Sequence, residues 1–141
     1  MKKRIALDSM IFIYHFEESR AYFHEVQKIL LSAQEGEYEL VTSTISVIEA
    51  LSTPKYLRLH ETVNEIKLFF KEAGFIKVID VSWDIAIEAA SLRRQHESLR
   101  TPDAIQLATA IVSGADVFIT NDVRLSKIKT KLKGIKIVGL K

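Results

Sequence analysis

Three times along this chain an apolar segment of helical period runs into a glycine and is followed at once by a short apolar run. Tyr22, Phe23, Val26, Ile29, Leu30 and Ala33 recur at helical spacing, Gly36 follows, and a strand is predicted through Val41. A helix over about Leu57 to Ala73 ends at Gly74 and precedes a strand from Phe75 to Val81. A third, from about Pro102 to Ser113, ends at Gly114 before a strand from Asp116 to Thr120. Glycine just past a helix takes the left-handed conformation that turns the chain back. Helix and strand alternating in this way predict an α/β fold with a central parallel sheet. Ile5 to Leu7 reads as a first buried strand and Ser9 to Phe16 as an apolar helical start. Ser82-Trp83-Asp84 opens a helix through about His96, and Gly134 precedes a last strand, Ile135 to Val138.

No linker composition or low-complexity tract interrupts the 141 residues, so a single domain over 1–141 is expected. Hydrophobic residues at 48% and charged ones at 27% exclude both a disordered and a membrane-embedded class. With no cysteine there is no disulfide framework, zinc–thiolate site or thiol nucleophile, which fits a reducing compartment. The basic start Met1-Lys2-Lys3-Arg4 resembles the head of a signal peptide, but Asp8 interrupts the apolar run and no small-residue cleavage site follows. A cytoplasmic protein is expected. From Val123 onward every charged side chain is basic: Arg124, Lys127, Lys129, Lys131, Lys133, Lys136 and Lys141. Such a stretch either tracks phosphates or guards an edge strand against aggregation, and composition does not choose between the two.

The acids are more informative. In an open parallel sheet the carboxyl ends of the strands share one edge, where ligands bind. Asp8 ends the first strand, Glu49 lies one or two turns beyond the second, Asp103 opens a helix, and Asp122 follows Val117-Phe118-Ile119-Thr120-Asn121. Singly, Asp103 and Asp122 are ordinary helix-start residues. Glu49, set among Ile45, Val47, Ile48, Ala50 and Leu51, reads as a buried glutamate in need of a partner. Gathered together, carboxylates ~4 Å apart at an effective dielectric near 20 repel by ~4 kcal/mol per pair. Arg100 and Arg124 lie near Asp103 and Asp122, but one arginine compensates one or two acids, hardly four. A divalent cation is the natural neutraliser, and hard oxygen ligands suit Mg²⁺ or Mn²⁺. His15, His24, His60 and His96 show no metal-ligand spacing. No glycine-rich phosphate loop, dinucleotide fingerprint or nucleophile elbow is present. A phosphatase nucleophile at Asp8 is disfavoured because Met10 stands where a second aspartate is usual.

The residues at these positions carry a resemblance. Ile5-Ala6-Leu7-Asp8-Ser9, Thr44-Ile45-Ser46-Val47-Ile48-Glu49-Ala50-Leu51, Arg100-Thr101-Pro102-Asp103-Ala104-Ile105-Gln106-Leu107-Ala108-Thr109-Ala110 and Val117-Phe118-Ile119-Thr120-Asn121-Asp122 follow in order over nearly the whole chain. The chain resembles PIN-domain ribonucleases, and most of all the small VapC-type toxins of prokaryotic toxin–antitoxin systems. Met10, where that family often has a small or polar residue, is a departure that leaves the acids untouched. The resemblance implies a PIN-like three-layer α/β/α fold around a parallel sheet, a Mg²⁺ or Mn²⁺ site and cleavage of RNA. It implies Asp8, Glu49 and Asp103 as metal ligands, Asp122 as a ligand direct or through water, and Ser9 and Thr120 as hydroxyls that orient carboxylates or waters.

Three functional readings follow. The first is an RNA-cutting toxin held in check by a separately encoded antitoxin, whose arginine would satisfy the acids. The second is a housekeeping RNA-processing enzyme of the same fold, and the third a catalytically silent module that binds RNA or protein. Arg94, Arg100, Arg124 and Lys127 are candidates for the RNA backbone. The apolar content of Ile11 to Phe16 and Leu57 to Phe70 exceeds one buried face, which leads to the expectation of a homodimer.

Overall fold

In the computed structural model, residues 2–128 and 134–140 are described. Lys129, Lys131, Lys133 and Lys141 of the basic stretch lie outside them. The elements are β1 (Arg4–Leu7), α1 (Ser9–Phe16), α2 (Phe23–Gln34), β2 (Glu39–Ser43), α3 (Thr44–Leu51), a short 3₁₀ turn (Pro54–Tyr56) and α4 (His60–Glu72). They continue with β3 (Ile76–Ile79), α5 (Trp83–Gln95), α6 (Thr101–Val112), β4 (Val117–Ile119), α7 (Val123–Ser126) and β5 (Lys136–Val138). All neighbouring strands pair in parallel, in the order β3-β2-β1-β4-β5.

Alternation along the strands divides the core. Ile5, Leu7, Leu40, Val117 and Ile119 face the layer of α1 to α4, where Ile11, Phe12, Val26, Ile66 and Phe70 close over them. Ala6, Val41 and Phe118 point the other way, against Ile85, Ala89, Leu92, Ala104, Leu107 and Ala108 of α5 and α6. Residues one apart in a strand face opposite sides, so helices on both faces give the predicted three-layer α/β/α arrangement. Burying a side chain such as Phe12 or Phe118 completely contributes ~1.5–3 kcal/mol.

Gly36 and Gly114 adopt φ of +89° and +73°, the left-handed turn expected after α2 and α6. Gly74 does not. There α4 ends at Ala73 in extended backbone, one residue before the expected glycine, so no left-handed residue is needed. The aromatic surplus that led to a dimer expectation packs within the chain: Phe12, Phe16, Phe69 and Phe70 form a mutual edge-to-face cluster. The outermost strands are β3 and β5, and each carries an exposed lysine, Lys77 within β3 and Lys136 at the start of β5. That is the guarded-edge role.

The strand order places the site. From β1 the chain runs outward to β2 and β3, then crosses back to lay β4 on the other side of β1. The carboxyl ends of β1 and β4 therefore lie side by side at the switch point, with Leu7 level with Ile119.

Candidate functional site

Asp8 leaves β1 and caps α1. Its Oδ1 accepts from the Ser9 amide at 2.8 Å, and its own amide donates across the sheet to the Ile119 carbonyl at 3.0 Å. Only 7% of the residue is exposed. Thr120, just past β4, donates its hydroxyl to Asp8 Oδ2 at 2.6 Å and accepts from the Asp122 amide at 3.0 Å. One buried hydroxyl thus joins the Asp8 carboxylate to the backbone of Asp122. Asp122 caps α7 as Asp8 caps α1, so at both positions the helix-capping and site readings are compatible.

Burial pushes the Asp8 carboxyl up to about 6, against the pull of Thr120 and Ser9, with the charges of Asp103 and Glu49 adding to the rise. Burial is the larger cause of that rise, and the charges of Asp103 and Glu49 are the lesser one.

Glu49 departs from the sequence reading, for it is exposed. The fully buried positions of α3 are Ser46 and Ala50, which turns Ile48 and Glu49 outward. Its carboxylate is nonetheless held. Ser9 donates to Oε1 at 2.6 Å, and Ser9 Oγ in turn accepts from the Gln106 amide nitrogen at 2.7 Å. That nitrogen also donates to Ser46 Oγ at 2.9 Å. Ser46 lies 2.7 Å from Thr42 Oγ1, and Thr42 donates to the Leu7 carbonyl at 2.9 Å. Ser9, Thr42, Ser46 and Gln106 are all buried. Of these four only Ser9 was marked in the sequence. Gln106 carried a detectable signal, since it is a single amide in the apolar stretch Ala104 to Ala108, three residues after Asp103 on the same helix face.

The other two acids share an arginine. Arg124 Nη2 reaches Asp122 Oδ2 at 2.7 Å and Asp103 Oδ2 at 3.5 Å, while its Nε and backbone amide both bond Asp122 Oδ1. Arg100 lies 3.5 Å from Asp103. These contacts, with Arg124 foremost, hold the Asp122 carboxyl below the usual carboxylate range. Arg94 and Lys127 are exposed, and neither bonds any of the four acids.

The donor set fits a hard divalent cation in kind, being carboxylate oxygen throughout, with an excess of negative charge centred on Asp8. It is not preassembled. Among the described residues no three His, Asp or Glu side chains are placed to hold an ion as they stand. The histidines take no part: His15 stacks on Phe23 and packs against Phe69. A groove of about 420 Å³ lined by His15, His24, Leu31, Gln34, Phe69 and Phe75 includes none of the four acids.

The model of the PIN domain matches residues 5–131. The chain belongs to the PIN-domain family. Solved structures share the PIN fold along almost its whole length. VapBC2 from Rickettsia felis bound to a DNA fragment from its promoter aligns with a TM-score of 0.72 and 15% identity, covering 98% of this chain and 99% of that one. Mycobacterium tuberculosis VapC20, a sarcin–ricin-loop-cleaving toxin, gives 0.72 and 14% over 94% and 98%. A toxin–antitoxin complex from Klebsiella pneumoniae gives 0.64 and 24% over 93% and 94%. No curated protein matches the chain in sequence. At these identities the likeness is one of fold. No helix among the described residues is long and apolar enough to cross a membrane.

Proposed function

We propose that this PIN domain, a single unit over residues 1–141, is a divalent-metal-dependent endoribonuclease and the toxin of a type II toxin–antitoxin pair. The carrying observation is Asp8: a buried carboxylate at the switch point of a parallel sheet, raised to about 6 and crowded by Asp103 and Glu49. Capping α1 does not require burial of the carboxylate, and a perturbed carboxyl in such a place is a candidate for a functional role. Asp8, Glu49 and Asp103 would hold Mg²⁺ or Mn²⁺, with Asp122 joining directly or through water. Bound there, such an ion would supply a water of lowered pKa and stabilisation of charge on a scissile phosphate. Thr120 fixes the orientation of Asp8, and Ser9 that of Glu49. Arg100, Arg124, Arg94 and Lys127 are the cations available to the RNA backbone. Attack of water on phosphorus leaves a 5′-phosphate and a 3′-hydroxyl.

The partners in this reading are RNA, an antitoxin and a second copy of the chain, all in the cytoplasm. Leu57 and Leu59, exposed just before α4, and Leu68, exposed on it, are the apolar residues of that segment left for a dimer once the aromatic cluster is taken as core. The toxin assignment leans on the solved toxin–antitoxin structures of the same fold. Cleavage of a mixed RNA pool with Mn²⁺, with chelator and with Asp8→Asn tests the enzyme. Growth arrest by wild type, relieved by a neighbouring small reading frame and absent for Asp8→Asn, tests the toxin. A wild type that cuts nothing in Mn²⁺ and arrests nothing leaves the silent binding module. The ion pairs of Arg124 with Asp122 and Asp103 favour the silent-module reading. Cleavage without arrest points to RNA processing.

A further inference from the structure

We infer that Gln106 is a positioning residue for Glu49, its side-chain amide aiming the Ser9 hydroxyl proton at the glutamate. The inference deepens the nuclease reading and rests on it for what Glu49 does once held.

Two ends of the buried chain of hydrogen bonds can only accept. At one end is the Leu7 carbonyl, 2.9 Å from Thr42 Oγ1, so the single Thr42 hydroxyl proton goes there. The 2.7 Å contact between Thr42 and Ser46 must then use the Ser46 proton. At the other end is the Glu49 carboxylate, 2.6 Å from Ser9 Oγ, which takes the Ser9 proton. Ser9 and Ser46 have now each spent their donor and stand only as acceptors. The atom between them, 2.7 Å from one and 2.9 Å from the other, must donate to both. An amide NH₂ does so, and both of its hydrogens are consumed. A hydroxyl, a neutral imidazole or a carboxylate at this position supplies one proton or none.

The amide also removes a competitor. Ser9 Oγ and Ser46 Oγ are 3.3 Å apart, within hydrogen-bond reach of each other. While Gln106 occupies the acceptor side of Ser46, the Ser9 proton has one partner, Glu49. Without it, Ser46 becomes an acceptor for Ser9, and the exposed glutamate loses its tether. The four buried side chains come from β2 and from three helices, α1, α3 and α6, so the device spans the layer under the site and meets it through the bond from Ser9 to Glu49.

Gln106→Met keeps length and volume and deletes both donors; Gln106→Leu serves if the first variant does not fold. Supporting groups behind metal ligands typically alter affinity ~10–100-fold. Mn²⁺ binding, read by electron paramagnetic resonance without RNA, is expected to weaken by that factor in a folded Gln106→Met protein. Adding Ser46→Ala removes the competing acceptor and should recover much of the loss, a rescue no purely structural role predicts. Ser46→Ala alone should leave Mn²⁺ binding as in wild type. Metal-free crystals should show Glu49 at Ser9 in wild type and in the double variant, and turned away in Gln106→Met. A Gln106→Met crystal that keeps the Ser9–Glu49 contact, or wild-type Mn²⁺ affinity in that variant, overturns the inference. If wild type itself binds no Mn²⁺ the nuclease reading falls, and the crystal comparison alone then decides the role of Gln106.

Discussion

Arg124 grips Asp122 with two prongs, Nη2 to Oδ2 at 2.7 Å and Nε to Oδ1 at 3.2 Å. The same guanidinium leans on Asp103. An arginine of the chain itself therefore stands where an antitoxin arginine was expected to act, and a cation entering the site competes with it.

Arg124→Ala should accordingly bind Mn²⁺ several-fold tighter than wild type while binding RNA more weakly. Both guanidinium and Asp122 reach solvent, so the gain in metal affinity should shrink as ionic strength rises. Titration calorimetry at two salt concentrations checks it. Mn²⁺ affinity unchanged by the substitution would show that Arg124 is no competitor.

Asp8 makes the metal-free protein sensitive to pH in a definite direction. Its carboxyl is raised from an ordinary 3.8 to about 6, so the folded state holds the proton more firmly than the unfolded chain. The stability this contributes is fully present below pH 3.8 and is lost as pH rises through about 6. A difference of that size is worth up to ~3 kcal/mol. Asp8→Asn should remove the dependence. Denaturant melts without metal should find the variant more stable than wild type at pH 7, with the advantage gone near pH 3.5. A constant difference across that window would count against the burial of a charged Asp8.

Metal should stabilise the wild-type fold by relieving the same repulsion. At ~100 times its dissociation constant, Mg²⁺ or Mn²⁺ adds ~2.7 kcal/mol by mass action. Thermal melts should show the increment in wild type, its reversal by chelator and its absence in Asp8→Asn. An Asp8→Asn protein stabilised as much as wild type would place the ion elsewhere.

Thr120 serves the Asp8 carboxylate and the Asp122 backbone amide, and valine matches its shape without its hydroxyl. Thr120→Val should cost ~1–3 kcal/mol, the usual penalty for leaving buried partners unsatisfied, and push the Asp8 carboxyl higher still. Thr120→Ser should restore both. Carbon-13 titration of the Asp8 carboxyl, alongside melts, separates these outcomes; an Asp8 titration identical in the valine variant would contradict the role given to this hydroxyl.

Periodicity and punctuation made most of the fold legible. Gly36 and Gly114 turn where expected, and Ser82 caps α5 through the Ile85 amide. Gly74 misled because a glycine after a helix permits the left-handed turn without requiring it. Within the candidate site, Asp8 and Asp122 could be read from strand ends because both are local features. Glu49 was misjudged because its apolar neighbours in sequence spread around α3 rather than around the glutamate. The partners of Gln106 could not be read for a plainer reason: its two amide bonds join positions 60 and 97 residues apart, and only the layered packing brings them together.

The hydrogen bond from Thr120 to Asp8 spans 112 residues of sequence. Strand β1 precedes β4 in the chain, so one of its sides waits for β4, and Asp8 waits for Thr120. A growing chain short of β4 holds Asp8 and Glu49 but has neither Thr120 nor Asp122. The four acids thus cannot be brought together until β4 and the residues just past it have been added, and a chain that stops before Thr120 lacks both the hydroxyl that holds Asp8 and the fourth acid, Asp122.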